Sequence, residues 1–275
     1  MSTTIDSHLH LWQLSRFDYG WIPTNNAALH QDRVPEDVMP QMRTAGVERA
    51  VLVHAASTTE EIKWLLSLCD AHSCFAGVVG WVDMTSLSAI DAISSFATDN
   101  RFLGVRLHLP IDPLHTEAVN RSMRALASHQ LSCDLLLGLA RLPEALALIE
   151  AHPDVTFILD HLAGAQITAG GASDFQQAIV PLSNKPNVFM KVSGYMTARY
   201  DLELAVLPKV LAQYVKAAVS VLGAGRLMFG SDWPVSSQAA AYIQTATVLR
   251  DIAARLTNSE QVAIWGGSAI RAYRL

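Results

Sequence analysis

The sequence contains little cysteine and little charge, and both shortages narrow what the protein can be. Its 275 residues include three cysteines, Cys69, Cys74 and Cys133, with no C-x-x-C pair. An odd count without that motif argues against a disulfide framework and a cysteine-based zinc site, and favours a reducing compartment. Charged residues make up 16% of the chain and the mean hydropathy is +0.23, so we expect a packed globular protein and not a disordered one.

Basic segments and long apolar runs are also lacking. The net charge is −5 and the sequence pI is about 6.0, whereas nucleic acids and anionic membranes are bound by basic surfaces. The N-terminal region has no basic segment followed by an apolar core, and no run of 18 uncharged apolar residues occurs. We therefore expect a cytoplasmic protein that acts on a small molecule, with no nucleic-acid or membrane partner. The sequence leaves a homo-oligomer open.

Eight short apolar stretches alternate with eight segments of helical periodicity. The stretches are nearly continuous in apolar residues, as parallel strands buried on both faces must be. They span 4–11, 49–56, 75–83, 103–109, 132–138, 156–163, 188–194 and 227–233. Eight such units in about 250 residues predict a (β/α)8 TIM barrel, formed by one domain over 1–275. A doubly wound open sheet is the alternative, and the absence of a G-x-G-x-x-G or P-loop after any strand weighs against it.

Polar side chains stand at the ends of these predicted strands. In "DSHLHLW", His8 and His10 are two residues apart, so a strand would point both to one side, together with Asp6. The other polar residues at or near strand ends are His54, Asp83, Arg106, His108, His161, Lys191, Ser193 and Asp232. Because TIM barrels carry their active sites at the C-terminal ends of the strands, we expect these residues to form one site. The aromatic loop over 13–34 is expected to fold over the barrel mouth.

An ordered set of motifs then resembles a known superfamily. The segments are "DSHLHLW", "VVGWVD", "GVRLHL", "FILDHLAG", "NVFMKVSG" and "RLMFGSDWPV", and the C-terminal "SAIRAYRL" extends the match. They resemble the amidohydrolase superfamily, in particular its "amidohydrolase 2" branch of sugar-lactone and 2-pyrone-4,6-dicarboxylate lactonases. The resemblance implies that His8, His10, His161 and Asp232 are metal ligands. Three imidazoles and one carboxylate suit one divalent ion, zinc or manganese.

Two departures from the superfamily pattern affect the metal. The fifth strand, "DLLLG", has no lysine that could bridge two ions, and Lys191 and Ser193 stand where many metal-dependent relatives have another histidine. Some lactonases of this branch work without any metal. A site with one divalent ion and a metal-independent site are therefore both left open.

The resemblance implies a hydrolase that opens a small cyclic ester, first of all a sugar-acid lactone. Asp232 would take the proton from water, while His161 and Arg106, with the other two histidines, would stabilise the charge that develops on the carbonyl oxygen. Substrate contacts are expected from His54, His108, Lys191, Arg199 and Trp81. The stretches "HLPIDPL" and "DHLAGAQ", where the pyrone-dicarboxylate members have further arginines, contain none. Arg199 is the only further candidate to bind a second carboxylate, so a doubly anionic pyrone dicarboxylate is disfavoured.

Several alternatives stay open at this point. The scaffold could instead serve a single-metal lyase that decarboxylates or hydrates a small acid, a lactone isomerase, or a binding protein without activity. Arg106 could be a buried ion-pair partner of Asp134, Lys191 could neutralise a carboxylate inside the barrel, and Trp81 could be a packing residue. The sequence does not name the lactone, nor does it assign the roles of His54 and His108.

Overall fold

Eight parallel strands, each hydrogen-bonded to its neighbours in the sequence, form the centre of the protein. The structure is a computed structural model that describes residues 3–108, 116–196, 203 and 205–275. The strands are β1 (Ile5–Leu9), β2 (Arg49–Val53), β3 (Phe75–Gly80), β4 (Phe102–His108), β5 (Ser132–Leu136), β6 (Thr156–Leu159), β7 (Val188–Val192) and β8 (Leu227–Phe229). An open doubly wound sheet would change direction in its strand order, and this sheet does not, so the predicted (β/α)8 barrel is confirmed.

Backbone hydrogen bonds close the barrel between β1 and the segment that follows β8. The amide of His10 donates to the carbonyl of Trp233 at 2.8 Å, and the amide of Asp232 donates to the carbonyl of His8 at 2.8 Å. Leu9 and Trp233 form a parallel bridge. The closure of the barrel therefore brings the histidines of β1 next to Asp232.

Helices follow the strands and cover the barrel. In the described residues they are α1 (Pro35–Thr44), α2 (Thr59–Ala71), α3 (Ala89–Phe96), α4 (Glu117–Ser128), α5 (Leu142–Ala151), α6 (His161–Gly164), α7 (Ala172–Ile179), α8 (Leu207–Leu222), α9 (Tyr242–Ala253), α10 (Asn258–Val262) and α11 (Ser268–Tyr273). Thr58 caps α2 and Thr116 caps α4, each through a side-chain oxygen that accepts a backbone N–H of the first turn. Within the described part of the chain, no helix has both the length and the apolar character needed to cross a bilayer.

The barrel interior has an apolar floor. Ile5, Val51, Ile158 and Met228 form part of a cluster inside the strands that is separate from the core between strands and helices. Tyr273 of α11 belongs to the same cluster, so the C-terminal helix closes the end of the barrel formed by the N-termini of the strands. Polar residues occupy the interior above this floor and build the candidate site.

The loop between β1 and α1 folds over the opposite end, as predicted. Trp12, Tyr19 and Ile22 form a small apolar cluster with Ala56, which follows β2. The indole N–H of Trp21 donates to the carbonyl of Ala55 at 2.8 Å. This aromatic loop is therefore attached to the mouth of the barrel beside the end of β2.

Candidate active site

A β-bulge in β1 turns the two histidines into the barrel. Asp6 pairs with Ala50, but Leu9 pairs with Leu52, so β1 contains one extra residue between these pairs. His8 consequently points inward, whereas the Asp6 carboxylate points outward and accepts a hydrogen bond from the hydroxyl of Tyr242 at 2.9 Å. The expectation that Asp6 shares a face with the histidines is therefore wrong, because simple alternation does not hold across a bulge.

His8, His10 and Asp232 meet at the mouth. The two Nε2 atoms of His8 and His10 are 3.1 Å apart. Asp232 Oδ1 lies 3.7 Å from His8 Nε2 and 3.6 Å from His10 Nε2, and all three residues are buried. Asp232 adopts a φ of 56°, a conformation that costs energy for a residue with a side chain and that clusters at functional sites.

His161 approaches the same point from β6. It has a φ of 54° at the start of the left-handed turn α6, and its ring centroid lies 4.6 Å from that of His8. Its Nδ1 is hydrogen-bonded to Ser193 Oγ at 2.8 Å. Gly194, with a φ of 67°, leaves space for the ring, because a Cβ there would lie 2.7 Å from His161 Nδ1. Ser193 and Gly194 therefore fix the orientation of His161.

A buried ion network lies beneath the histidines. Lys191 Nζ is 2.6 Å from Asp134 Oδ2, 3.0 Å from Asp160 Oδ1 and 3.0 Å from His8 Nδ1. Arg106 Nε donates to Asp160 Oδ2 at 2.8 Å. The interpretation that Lys191 neutralises a carboxylate is confirmed. The interpretation that Arg106 pairs with Asp134 is wrong, because its partner is Asp160, on the strand beyond.

Burial favours the neutral form of three imidazoles at the site, those of His8, His54 and His161. It lowers the pKa of His8 well below the usual value, and the positive charge of Lys191 lowers it further. Burial also lowers the pKa of His54 well below its usual value and lowers the pKa of His161, both against the attraction of nearby carboxylates. A neutral imidazole has one N–H and one lone pair, so it can donate a proton or accept one.

Two carboxylates of the site, those of Asp232 and Asp160, stay ionised despite their burial. For Asp232, burial alone would raise the pKa, but electrostatic attraction to the neighbouring His161 and contact with His10 outweigh burial and hold the pKa below its usual value. For Asp160, burial is likewise outweighed by Lys191, followed by His8, and the pKa is held well below its usual value. Asp232 is therefore a carboxylate at neutral pH, as a proton acceptor must be.

The other residues predicted to contact the substrate differ in how deeply they are buried. His54 directly follows β2 and is buried; its Nδ1 is 3.1 Å from the carbonyl of Ala56, and its Nε2 has no hydrogen-bond partner in the described protein. His108 is the last residue of β4 and is exposed, and Trp81 directly follows β3 and is half-buried. Arg199 lies outside the described residues.

Three partners of the site were not anticipated as functional residues. Asp160 precedes the predicted ligand His161 in "LDH", where its own contacts with Arg106 and Lys191 are not visible in the sequence. Tyr273 donates its hydroxyl proton to Asp134 Oδ2 at 2.6 Å, across 139 residues of sequence. The unusual charge of Asp134 in the apolar segment "SCDLLLG" was the one available signal that something inside the barrel must neutralise it.

Comparison with known proteins assigns this arrangement to a family. The sequence profile of the family described as Amidohydrolase matches residues 5–275. The chain belongs to the amidohydrolase family. Among its relatives, the L-fucono-1,5-lactonase of Burkholderia ambifaria is 35% identical over 242 residues, which cover 86% of this chain and 82% of the relative. The L-fucono-1,5-lactonase of Burkholderia multivorans is 30% identical, over 98% of this chain and 96% of the relative.

A solved structure supports the same assignment. An amidohydrolase from Burkholderia multivorans with bound zinc superposes with a TM-score of 0.91 at 28% identity, and the match covers the whole of both chains. This amidohydrolase is therefore a TIM-barrel hydrolase that acts on ester bonds.

The donor set of this amidohydrolase can accommodate one divalent ion. One nitrogen each from His8 and His10 and one oxygen of Asp232 lie within 4.8 Å of one another, and His8, Asp160 and His161 form a second such group among the described residues. The predicted ligands His10 and His161 thus belong to different groups that share His8. Two imidazoles and a carboxylate are a donor set that zinc accepts.

Proposed function

We propose that this amidohydrolase opens a sugar-acid lactone by adding water to its carbonyl group. The observation that carries the proposal is the convergence of a buried, ionised Asp232 with His8 and His10 at one point of the barrel mouth. A carboxylate can accept the proton of a water molecule, and neighbouring imidazoles can donate to the carbonyl oxygen of the substrate. The two L-fucono-1,5-lactonase relatives point to a six-membered lactone of a sugar acid as the substrate class.

Asp232 is assigned the role of general base in this proposal. It takes a proton from the attacking water while the water oxygen bonds to the carbonyl carbon. The carbonyl then re-forms, the bond to the ring oxygen breaks, and that oxygen leaves as an alcohol with the proton that Asp232 returns. The left-handed backbone of Asp232 and its amide bond to the carbonyl of His8 hold the carboxylate beside the imidazoles. Its pKa, held below the usual value, keeps it in the proton-accepting form.

Positive charge at the site would stabilise the oxyanion. Arg106 uses its Nε–H on Asp160, which fixes the plane of the guanidinium while its charge stays close to the cluster. His161, held by Ser193, is assigned to donate to the carbonyl oxygen. His54 presents an unpartnered Nε2, which suits a hydroxyl of the sugar, and His108, Trp81 and Arg199 are assigned to the substrate as the sequence predicted. Lys191, which was also predicted to contact the substrate, is instead fully buried beneath the histidines, against Asp134, Asp160 and His8.

The proposal allows two alternatives for the metal. Either the site holds one divalent ion, zinc or manganese, or catalysis proceeds without a metal. The residues that would hold the ion are His8, His10, His161 and Asp232. When bound, such an ion would lower the pKa of a water molecule and polarise a carbonyl group.

The proposal is tested with a panel of lactones and a pH indicator, which detects the acid that hydrolysis releases. The panel contains L-fucono-1,5-lactone, other sugar-acid 1,5- and 1,4-lactones and a pyrone dicarboxylate, each measured with and without a chelator. We expect turnover of sugar-acid lactones, and Asp232→Asn should lower kcat by about 100-fold or more, in line with the loss of a general base. Asp83→Asn is the matched control. Asp83 also follows a strand, but its carboxylate accepts hydrogen bonds from the amide and the hydroxyl of Thr85 and has no assigned role in the reaction.

Two outcomes would contradict the proposal. If Asp232→Asn and Asp83→Asn have equal turnover, Asp232 is not the general base. Absence of acid release from every lactone, with loss of carbon dioxide from small hydroxy acids, would favour the lyase alternative instead.

A further inference from the structure

The two alanines that follow His54 use all of their backbone polar groups in hydrogen bonds to side chains. The amides of Ala55 and Ala56 donate to Oε2 of Glu61 at 2.9 and 2.8 Å. The carbonyl of Ala55 accepts the indole N–H of Trp21 at 2.8 Å, and the carbonyl of Ala56 lies 3.1 Å from Nδ1 of His54. One carboxyl oxygen thus holds the segment to which two side chains of the barrel mouth are attached.

The contact with Ala56 determines which nitrogen of His54 carries the proton. A carbonyl oxygen can only accept, so Nδ1 donates to it, and Nε2 of the neutral ring presents a lone pair. Burial, followed by the charge of Arg106, lowers the pKa of His54 well below its usual value, which keeps the ring neutral. Nε2 is buried and has no hydrogen-bond partner among the described residues. His54 therefore offers one acceptor to a molecule that brings a donor.

The chemistry of this acceptor selects a hydroxyl group. Arg106 and His10 are close enough to His54 to affect its pKa, so the ring lies near the candidate active site. Carboxylate and lactone oxygens have no proton to donate at neutral pH, whereas every hydroxyl of a sugar-acid lactone has one. A site that binds a hydroxyl discriminates strongly against an analogue without it, because its own buried polar group then stays unpaired.

Glu61 reaches the alanines from the first turn of α2, and the helix does not need it as a cap. Thr58 already caps α2 through its side-chain oxygen. Glu61 is fully buried, and burial raises its pKa from 4.5 to about 8, so the carboxyl group is protonated at neutral pH. Burying such a group is costly unless it is hydrogen-bonded, and the partners of its Oε2 are the two alanine amides. Its contacts therefore point to the segment after β2, and not to the helix.

We propose that Glu61 is a positioning residue that holds Ala55 and Ala56 so that His54 presents Nε2 to a hydroxyl group of the substrate. The inference rests on the proposed lactone hydrolysis and adds a source of specificity to it. The arrangement favours lactones that carry a hydroxyl donor over lactones that carry only carboxylates or no polar substituent. Glu61 does not touch the substrate and acts through His54.

Selectivity between two lactones tests this role. The measured quantity is kcat/KM for L-fucono-1,5-lactone divided by kcat/KM for δ-valerolactone, which has the same six-membered ring and no hydroxyl. Glu61→Met removes the acceptor, and we expect it to lower this ratio by about 10-fold or more, as for a hydroxyl that loses a buried partner. Glu61→Gln keeps an oxygen acceptor and is neutral like the protonated acid, so it should retain the ratio.

Glu60→Met is the matched control on the same turn of α2. The side chain of Glu60 is 62% exposed and pairs with Lys63 at 2.6 Å, away from the alanine amides. Its ratio should equal that of the wild type. An equal ratio in a folded Glu61→Met protein would overturn the proposal, because a residue that only stabilises the fold would lower both kcat/KM values alike.

A double-mutant cycle tests whether Glu61 acts through His54. His54→Met removes the acceptor itself. If Glu61 only positions that acceptor, adding Glu61→Met to His54→Met should change kcat/KM for L-fucono-1,5-lactone by less than about 2-fold, since coupled residues do not have additive effects. Effects of the two substitutions that multiply would overturn the proposal.

Nitrogen-15 NMR of the histidine rings without substrate separates this inference from the proposed function. We expect the Nδ1–H tautomer for His54 in the wild type, with its signals identified by their absence from His54→Met, and loss of this single tautomer in Glu61→Met. The Nε2–H tautomer in the wild type would overturn the inference, and this measurement does not require Glu61→Met to fold. The expected spectra together with no turnover of any lactone would refute the proposed function while supporting the positioning of His54 by Glu61.

Discussion

Replacing Gly194 by alanine should damage the site while the barrel stays folded. Gly194 has a φ of 67°, and a Cβ atom there would lie 2.7 Å from Nδ1 and 3.0 Å from Cβ of His161. Carbon and nitrogen atoms do not approach so closely, so the imidazole must withdraw by about half an ångström or more. The movement would also lengthen the 2.8 Å hydrogen bond between His161 Nδ1 and Ser193 Oγ.

The two effects of the substitution have different sizes. The positive φ costs an alanine about 1–2 kcal/mol of folding free energy, because its Cβ then approaches the following carbonyl. The displacement of His161 acts on catalysis, where misplacement of a group by about 1 Å can cost 100-fold. We expect kcat/KM for lactone hydrolysis to fall by about 10- to 100-fold, with a small decrease in the Tm.

Gly46 provides a matched control for the backbone term. It has the same φ of 67°, but the nearest atom to its added Cβ is a guanidinium nitrogen of Arg250 at 3.9 Å. Gly46→Ala should therefore lower the Tm by a similar amount and leave kcat/KM unchanged. If Gly194→Ala loses no more activity than Gly46→Ala, the assignment of His161 to the reaction is refuted.

Two further predictions concern stability. Tyr273→Phe removes a hydrogen bond to the buried carboxylate of Asp134 and should lower the free energy of unfolding by about 1.5–3 kcal/mol in urea titrations; an unchanged value would mean that the hydroxyl is dispensable. Glu61, whose Oε2 accepts from the amides of Ala55 and Ala56, has a pKa raised by burial from 4.5 to about 8. Because the folded protein holds this proton after the unfolded chain has lost it, stability should fall between about pH 4.5 and 8, by up to about 1.4 kcal/mol per pH unit, and Glu61→Gln should reduce this fall.

The barrel could be predicted because each of its units has a local signature. Parallel strands covered on both faces are continuous apolar runs, and segments of helical periodicity follow them, so eight repeats of the pattern sufficed. The position of the site followed from the same rule, since polar residues at the C-terminal ends of strands in a TIM barrel converge on one mouth. The rule applies to His8, His10 and Asp232, whose positions at strand ends are visible in the sequence alone.

The partners inside the barrel could not be predicted, because their contacts depend on register and closure. The bulge in β1 reverses the direction of Asp6, and no residue type in "TIDSHLH" marks it. Arg106 is directly beside Asp134 in the β4–β5 register, yet its Nε–H reaches Asp160 on β6. Tyr273 reaches Asp134 only because the C-terminal helix closes the barrel floor.

The buried charges under the histidines are better explained by the site than by folding. Removing Lys191, Asp134, Asp160 and Arg106 from water carries a desolvation cost that ion pairing inside a protein often does no more than offset, so apolar residues of similar volume would give an equally stable floor. What apolar residues could not give is a polar contact that positions the histidine beside the candidate base. Lys191 Nζ lies 3.0 Å from His8 Nδ1, and His8 Nε2 lies 3.7 Å from Asp232 Oδ1. The buried charges therefore hold the imidazole next to Asp232, and this contact is a reason to keep them inside the barrel.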